Sequence, residues 1–552
     1  MSVEKVPSRA SSKDADASAG VGASEKQTVS VSDQLQQQGV DDRGIPQLTC
    51  VPSRSSAVDE AYHVAGEVAL EYSKEEADAV RRKIDRRVPI LLALVYFSQF
   101  LDKTLLNYAA VTGLPIKGNQ YSIVASGFYF GFLAWVLPTA SLAQRFPWGG
   151  PTVYLGLNVM AWGIVLACAA INPSFAPFFA LRFLLGMLES CVTPVLISTV
   201  VAFYRTEEQA LRIACFYACN GLTQIVGPLI AYAVTFYKGA AFGYQPWRLL
   251  YVVFGLFAFV LGAIVVIWLP ASPSRARFLS EHERRVALER VRDNAAGTTQ
   301  RKIKLHQLKE AAFGDIRIWV VFVFVVLTSI PNGGLSNFSS QIIKGFGYSS
   351  RETLLIGIPQ GVLATIFTLL CAWLSDRYRE RILPVFVALV PTIVGAAILV
   401  GLGKGGEHAE GTRRNTLVFA VYLTSTFGSS LSVVFAWNAT NVAGYSKKIS
   451  SSALMMFGFG AGNIAGSYIF QQKDAPDYIP GKTVVLVTLA AAAGTALVLR
   501  ALVAKDNRRK KALIEEFKRE RGWDDEEVKK QRDAIAFRDF TDKENPFFVY
   551  TS

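Results

Sequence analysis

Residues 88–112 decide the fold class of this chain: they read VPILLALVYFSQFLDKTLLNYAAVT. A helix of about 20 apolar residues crosses the hydrocarbon core of a bilayer, and this stretch is long enough to do so. It follows directly on a basic cluster made of Arg81, Arg82, Lys83, Arg86 and Arg87. Basic residues at the start of an apolar run are typical of the cytosolic end of a membrane span. The sequence therefore predicts a first transmembrane helix here.

Eleven further apolar runs follow, which predict an all-α membrane protein of twelve transmembrane helices. The spans after the first are expected near 120–143, 151–171, 175–203, 211–236, 247–269, 317–338, 352–374, 383–402, 415–437, 450–470 and 482–503. They form two six-helix halves, 88–270 and 317–503, joined by a charged cytosolic linker at 271–316. Residues 1–87 are expected to be a disordered cytosolic head, and 504–552 a cytosolic tail. Six spans, a linker and six more spans is the layout of a two-half transporter.

The composition agrees with a membrane bundle. Hydrophobic residues make up 51% and charged residues 18% of the chain, whereas soluble proteins carry about 25% charged residues. The net charge of +13 sits at both ends and in the linker, where it indicates topology rather than nucleic-acid binding. An even number of spans places both termini and the linker on one side, which the basic segments predict to be the cytosol. The linker is expected to hold a helix that begins at Ser280.

Several other classes of site are excluded by the sequence. The four histidines lie outside the spans, and the six cysteines show no metal-ligand spacing. The stretch Gly481-Lys-Thr483 resembles the end of a phosphate-binding loop, but position 476 is Pro where that loop needs Gly. The first 80 residues contain no apolar core of a signal peptide. We therefore predict no enzyme activity, no cofactor and no metal site.

Four ionisable residues within the predicted spans stand out: Asp102 and Lys103 in span one, and Arg182 and Glu189 in span four. A charge at the centre of a membrane helix costs about 2.5–3.5 kcal/mol on insertion scales, so such residues usually serve a function. Arg182 and Glu189 are seven residues apart, which puts them on one helix face. We expect this face to line a water-filled cavity between the halves. The alternative, that the four charges form ion pairs which only fix helix packing, stays open.

Several motifs carry a resemblance to a known family. Trp373-Leu-Ser-Asp-Arg-Tyr-Arg-Glu-Arg381 resembles the inner-loop signature of the major facilitator superfamily, although the matching loop of the first half, 141–147, lacks the acid. Within that superfamily, Phe100-Leu-Asp-Lys-Thr-Leu-Leu-Asn-Tyr-Ala109 and Arg182-Phe-Leu-Leu-Gly-Met-Leu-Glu189 are similar to signatures of the anion:cation symporter family of fungal allantoate-permease-like carriers. The tail sequence 539–550 also resembles that of members of this family. The resemblance covers about 88–550.

The resemblance implies proton-coupled uptake of a small organic anion at the plasma membrane, by alternating access. The substrates it suggests are carboxylates such as allantoate, ureidosuccinate, nicotinate, pantothenate or biotin. By matching motif positions, Asp102 and Glu189 are the expected proton-coupling acids, and Lys103 and Arg182 the expected partners of the substrate carboxylate. The inner-loop residues Asp376, Arg377 and Arg381 are expected to act in gating. The expected partners are therefore the anion, protons and lipid.

Uncharged polar residues in the spans complete the expected site. The residues predicted to line the cavity are Asn107, Tyr108, Gln224, Asn332, Gln360, Trp437 and Asn438. For each of them a helix-packing contact is the alternative. Other functions also stay open at this point: a membrane nutrient sensor with little flux, or a uniporter or drug:proton antiporter of the same fold.

Overall fold

The computed structural model describes residues 72–551 except for 172–173, 238–244, 292–303, 379, 405–409, 523 and 530–539. The described secondary structure is helical, as predicted. The first part of the chain forms α1 (Lys74–Asp85), α2 (Val88–Val111), α3 (Asn119–Arg145), α4 (Pro151–Ala169), α5 (Phe175–Glu189), α6 (Val192–Phe203), α7 (Thr206–Tyr217), α8 (Cys219–Val234) and α9 (Pro246–Trp268). In this half two of the predicted spans, the fourth and the fifth, are each built from two consecutive helices.

The linker contains a 3₁₀ turn at Pro273–Arg275, then α10 (Glu281–Arg290), α11 (Leu305–Lys309) and a π-helical turn at Glu310–Gly314. The second half forms α12 (Ile316–Lys344), α13 (Ser350–Ile356), α14 (Ile358–Tyr378), α15 (Ile382–Leu402), α16 (Gly411–Leu423), α17 (Gly428–Asn441), α18 (Tyr445–Ser467) and α19 (Ile479–Arg521). A 3₁₀ turn at Gln472–Asp474 precedes α19. The last helix continues well beyond the predicted end of span twelve at residue 503.

Eleven helical segments of the described chain are long and apolar enough to cross a membrane. The predicted span at 450–470 corresponds to α18, which has 23 residues but is not among these eleven. Its sequence is rich in serine and glycine, and these small residues allow close packing with neighbouring helices. A Cβ added at Gly466 would lie 2.1 Å from the backbone oxygen of Ile330 in α12. Helix α18 therefore depends on its neighbours more than on apolar length.

The start of the described chain differs from the predicted disordered head. Residues 1–71 lie outside the described residues, but Lys74–Asp85 form a helix that begins with a capping box. The hydroxyl of Ser73 accepts a hydrogen bond from the amide of Glu76, and the Glu76 carboxylate accepts one from the amide of Ser73. Val80 and Ile84 are buried on one face of this helix. Capping and an apolar face together stabilise a helix that the polar composition of the head concealed.

The head, the linker and the tail meet on one face of the bundle, which we call the linker face. The side chain of Lys83 in α1 donates a hydrogen bond to Glu283 in α10, and Lys543 of the tail donates one to the carbonyl of Gly314 at the end of the linker. The predicted helix at Ser280 is confirmed, since Ser280 and Glu283 form a capping box. Hydrogen bonds from Lys83 and from the Ser280 backbone lower the pKa of the Glu283 carboxyl.

Close helix packing in the first half depends on glycine. A Cβ added at Gly131 in α3 would lie 1.9 Å from the backbone oxygen of Phe183 in α5. The relationship is reciprocal, since a Cβ at Gly186 in α5 would lie 1.9 Å from the backbone oxygen of Phe128 in α3. Only glycine lets the two backbones approach this closely, as in other membrane helix pairs. This contact fixes the height and rotation of α5, which carries Arg182 and Glu189.

The two halves are joined on the side that faces away from the linker. The amide of Asn107 donates a hydrogen bond to Ser339 (3.1 Å) and its oxygen accepts one from the amide of Ser340 (3.1 Å). The hydroxyl of Tyr121 donates to the carbonyl of Asn337 at 2.7 Å. These hydrogen bonds join the two halves where the helices end on that side. The bundles are therefore closed against each other on the face opposite the linker.

Candidate functional site

A break in the fourth span positions Glu189. Helix α5 ends at Glu189, and α6 begins three residues later at Val192. Pro194 has no amide hydrogen, so the carbonyl of Ser190 lacks its usual helical partner and the helix bends here. The amide of Gln99 in α2 donates a hydrogen bond to the free carbonyl of Glu189 at 3.2 Å. The break thus ties the end of α5 to the helix that carries Asp102.

A second break, in the tenth span, has a different cause. The segment between α16 and α17 holds three consecutive hydroxyl residues, Thr424, Ser425 and Thr426. Each hydroxyl donates a hydrogen bond to the carbonyl three residues earlier. Such bonds compete with the helical hydrogen bonds and bend helices. Discontinuous helices of this kind commonly form the binding sites of secondary transporters.

A cavity lies between the two halves and includes this second break. Its wall is made by helices of both halves, and the side chains that line it are polar or apolar but carry no charge. Among the predicted residues, it is lined by Asn107, Tyr108, Gln224, Asn332 and Gln360. The sequence-based search missed the hydroxyl groups of its wall: Thr104, Ser336, Ser339, Ser340, Thr353, Thr368, Thr424, Ser425, Ser429 and Ser432. Clusters of serine and threonine within otherwise apolar spans are the signal that could have identified them.

Some polar groups of this cavity remain available to a ligand. Gln360 is 9% exposed and its amide nitrogen has no hydrogen-bond partner among the described residues. The amide oxygen of Asn220 and the hydroxyl of Thr353 are likewise buried without a partner. Buried polar groups are nearly always paired, so unpaired ones in residues that line a cavity are candidates for binding a substrate. By contrast, the amide of Asn332 is already bonded to Asn463 at 2.8 Å.

The four intramembrane charges lie beside this cavity rather than in its wall. Asp102, Arg182 and Glu189 are buried within the first half, at 1%, 5% and 0% exposure. The two carboxylates are within electrostatic range of each other and of Arg182. No hydrogen bond of 3.5 Å or less reaches either carboxylate from the described residues, although Trp162 lies beside Asp102 and Gln99 beside Glu189. Arg182 donates to the hydroxyl of Tyr251 at 3.2 Å. The structure therefore brings these charges together in the interior of the first half.

Lys103 occupies a different setting, between the halves. Its ammonium nitrogen lies 5.1 Å from the ring centre of Phe100, 5.8 Å from that of Tyr129 and 5.6 Å from that of Phe459. Phe459 belongs to α18 of the second half, and Phe100 also lines the cavity. Aromatic faces attract a cation at such distances. Lys103 is thus held by three rings at the junction of the cavity, the charged cluster and the opposite half.

Two residues predicted to line the cavity lie elsewhere. The indole nitrogen of Trp437 donates a hydrogen bond to the carbonyl of Thr551 at 3.0 Å. The amide oxygen of Asn438 accepts one from the hydroxyl of Ser451. Both are 2% exposed. They belong to the linker-face end of α17, where the tail packs.

The inner-loop residues lie at the linker-face end of α14. Arg377 is exposed to solvent, and the guanidinium of Arg381 donates a hydrogen bond to the hydroxyl of Ser375. The side chain of Asp376 lies outside the described residues. The structure therefore places these residues at the surface expected for a loop between spans eight and nine, away from the cavity.

The amino-acid sequence was compared with families and with individual proteins. A model described as Major Facilitator Superfamily matches residues 92–467. An allantoate permease of Saccharomyces cerevisiae is 34% identical over 505 residues, which cover 90% of this chain and 91% of the relative. An uncharacterized transporter of Schizosaccharomyces pombe is 33% identical, with 90% and 93% covered. A thiamine pathway transporter of Saccharomyces cerevisiae is 30% identical, with 90% and 91% covered.

Solved structures share the fold at low sequence identity. A bacterial homologue of the human lysosomal transporter Spinster, in an inward-facing and unoccupied conformation, matches with a TM-score of 0.57 and 15% identity, covering 78% of this chain and 98% of that one. The inward-open xylose transporter of Escherichia coli matches with a TM-score of 0.56 and 13% identity, covering 73% and 95%. At these identities the likeness concerns the fold alone.

Proposed function

The chain belongs to the Major Facilitator Superfamily and is a membrane transporter rather than an enzyme, and from this premise we propose that it is a proton-coupled symporter for a small organic anion. One observation carries the proposal. Two acids and a base, Asp102, Glu189 and Arg182, are buried together within the spans of the first half, and a second base, Lys103, lies half-buried within electrostatic range of Glu189. Charges in this position are expensive and usually belong to proton or substrate pathways.

The roles follow from the chemistry of the four groups. A buried carboxylate without hydrogen bonds is costly when ionised, so proton uptake by Glu189 or Asp102 relieves that cost. Once an acid is neutral, the positive charge of Arg182 is free to attract a substrate carboxylate. The two acids interact, so their protons belong to the pair and not to either residue. Anion and proton then cross together with little net buried charge.

The cavity supports a small solute rich in hydrogen-bonding groups. Polar groups without a partner among the described residues, such as the amide nitrogen of Gln360 and the amide oxygen of Asn220, belong to residues that line it. A ureido or amide group offers both partners, and a carboxylate is attracted by nearby Lys103. The similarity to an allantoate permease supports the same class. We therefore propose a carboxylate such as allantoate, ureidosuccinate, nicotinate, pantothenate or a related vitamin or nitrogen source.

We further propose that the linker face is cytosolic and that the protein acts in the plasma membrane. The support is the basic residues of this face, which the positive-inside tendency places in the cytosol. In this orientation the closed side of the bundle is extracellular. The conformation described here is then the inward-facing state of an alternating-access cycle, in which the halves rock about the central site.

Uptake measurements in a transporter-deficient fungal host test the proposal. A panel of radiolabelled carboxylates is offered to cells that produce the protein, with and without an inward proton gradient. The expected result is accumulation of at least one carboxylate that disappears when the gradient is collapsed. Equilibration without accumulation would identify a uniporter, and efflux driven by the gradient a proton antiporter. Growth signalling without measurable flux would identify a sensor, and each of these results would refute the symporter.

A further inference from the structure

The C-terminal segment Thr541–Thr551 is packed into the linker face of the second half through a buried acid. Asp542 is fully buried. Its carboxylate accepts hydrogen bonds from Lys447 (2.8 Å), from Arg317 (2.6 Å) and from the hydroxyl of Tyr550 (2.9 Å). Charge-assisted hydrogen bonds of this length are strong, because both partners are withdrawn from water. A residue near the end of the chain thus forms the centre of a buried ionic cluster.

The cluster is completed by acids from the end of the linker. The oxygens of Glu310, Asp315 and Asp542 lie close enough together to hold a metal ion. The cation among them is the ammonium group of Lys447, at 2.8, 2.7 and 2.8 Å from the three residues. Lys447 has three donors and is fully buried, so each donor has an acidic acceptor. The tail supplies one of the three acids that this lysine requires.

Tyr550 and Thr551 are recognised through their backbone. The amide of Asn441 in α17 donates to the carbonyl of Thr551 at 3.1 Å and accepts from its backbone amide at 2.7 Å. Asn507 in α19 makes the same two-way contact with the backbone of Tyr550, at 2.8 and 2.9 Å. The ring of Tyr550 lies 4.0 Å from the guanidinium carbon of Arg317 in α12. Four elements of the second half therefore contact this one segment.

We propose that the segment Thr541–Thr551 is a brace that stays docked throughout the transport cycle and makes the linker-face ends of α12, α17, α18 and α19 move as one body. Its partner is a preformed site on the second half that recognises an acid and a tyrosine spaced eight residues apart. Undocking would remove Asp542 from the buried cations Lys447 and Arg317. Removing one partner of a buried ion pair is strongly unfavourable, because it leaves the other charge without compensation. The rigid ends of spans ten and eleven are then available to close against the first half.

Thermal melting of the detergent-solubilised full chain tests the brace without any substrate. Asp542→Asn keeps the shape of the side chain but removes its charge, and we expect its melting temperature to fall by several degrees. Tyr550→Phe removes only one hydroxyl and should cause a smaller fall, which provides a readout if Asp542→Asn does not fold. The matched control is Asp525→Asn, whose carboxylate is 92% exposed and pairs with Lys518. Melting of both Asp542→Asn and Tyr550→Phe at the control temperature would overturn the proposal.

A cross-link distinguishes a permanent brace from a latch that opens. The side-chain tips of Asn441 and Thr551 approach to 2.9 Å. Cysteines are introduced at both positions in a background without other cysteines, and loss of free thiol on oxidation verifies that they cross-link. Uptake of a substrate found in the carboxylate panel is then measured under oxidising and reducing conditions. Equal uptake in both conditions supports the brace. Uptake that stops on oxidation and returns on reduction would show that the tail must leave its site, and would refute it.

Discussion

The ammonium group of Lys103 in the first half lies 5.6 Å from the ring centre of Phe459 in the second half. The contact crosses the interface between the halves at the place where α3 and α18 pack closely. Gly460, the next residue of α18, would meet the side chain of Leu133 in α3 at 2.4 Å if it carried a Cβ. Rocking of the halves cannot leave this contact unchanged, so Phe459 connects the charge of span one to the conformation of the bundle.

The first prediction concerns the ring of Phe459. Phe459→Leu keeps an apolar side chain but loses the aromatic face, and a desolvated cation–π contact is worth about 2 kcal/mol. We expect the initial rate of uptake to fall about 30-fold, while Phe459→Trp and Phe459→Tyr stay near the wild-type rate. Phe457→Leu, at a residue that is 56% exposed, is the control. Equal rates for the leucine and tryptophan variants would show that only side-chain volume matters.

A second prediction concerns proton coupling at Glu189. Glu189→Gln mimics the protonated acid permanently, so the side chain no longer takes up or releases a proton. We expect accumulation against a gradient to be abolished, while exchange of labelled for unlabelled substrate continues. Uptake and exchange are measured with and without a pH gradient. Glu281→Gln, in an exposed part of the linker helix, serves as the control, and wild-type accumulation by Glu189→Gln would contradict the assignment.

A third prediction separates cavity residues from packing residues. Gln360→Leu removes an amide that lines the cavity and whose nitrogen has no hydrogen-bond partner among the described residues. Loss of one hydrogen bond to the substrate, about 1.5 kcal/mol, should raise KM about 10-fold. Asn438→Leu instead removes a contact with Ser451 away from the cavity, and should lower the melting temperature with little change in KM. The reverse pattern would assign substrate binding to the tail-proximal end of α17.

The close approach of α3 and α5 yields a fourth prediction. Gly186→Ala places a methyl group 1.9 Å from the backbone oxygen of Phe128, so the helices must separate, and overpacking of this kind costs about 1–3 kcal/mol. We expect a lower melting temperature and a smaller yield of folded protein on size-exclusion chromatography. Gly494→Ala is the matched control, since nothing lies within 4 Å of its added Cβ. It should be neutral or slightly stabilising.

A fifth prediction concerns the pH dependence of the cluster under the tail. Burial alone raises the pKa of Asp315, but hydrogen bonds from Arg317 and the charges of Arg317 and Lys447 outweigh it and hold this pKa well below its usual value. A lowered pKa in the folded state contributes stability above the unfolded value of about 3.9, and this stability is lost as the pH falls further. The melting temperature of wild type should therefore exceed that of Asp315→Asn by a constant margin from pH 8 to pH 5.

Below about pH 4 that margin should shrink, because Asp315 then takes up a proton in the unfolded protein but not yet in the folded one. Melting curves of the two proteins across this range provide the measurement. A margin that shrinks already between pH 7 and pH 6 would mean that another group controls the stability of the cluster.

The positions of the spans could be predicted from local sequence, whereas the membership of the cavity could not. Asn107, Tyr108, Gln224 and Asn332 line the cavity as expected. Trp437 was also predicted to line the cavity, because it carries a polar group within a span. Its indole nitrogen instead donates a hydrogen bond to Thr551, 114 residues later. Ser429 and Trp437 belong to the same helix, yet one lines the cavity and the other the tail site. Which site a residue joins depends on its position along the helix and on the rotation of the helix about its axis. Both are set by packing partners that lie far away in the chain.

The sequence by itself determined that this is a two-half bundle of membrane helices. The length of an apolar run and the charges that flank it are local properties, and they decide whether a segment crosses the bilayer and in which direction. The sequence also identified the four charges, since a charge within an apolar run is conspicuous wherever the helix packs. Only the tertiary structure decided that Asp102, Arg182 and Glu189 lie inside the first half, that Lys103 reaches a ring of the second half, and that the tail completes a buried cluster. These relationships depend on helix breaks, on glycine contacts and on pairings between distant residues, and no local pattern encodes them.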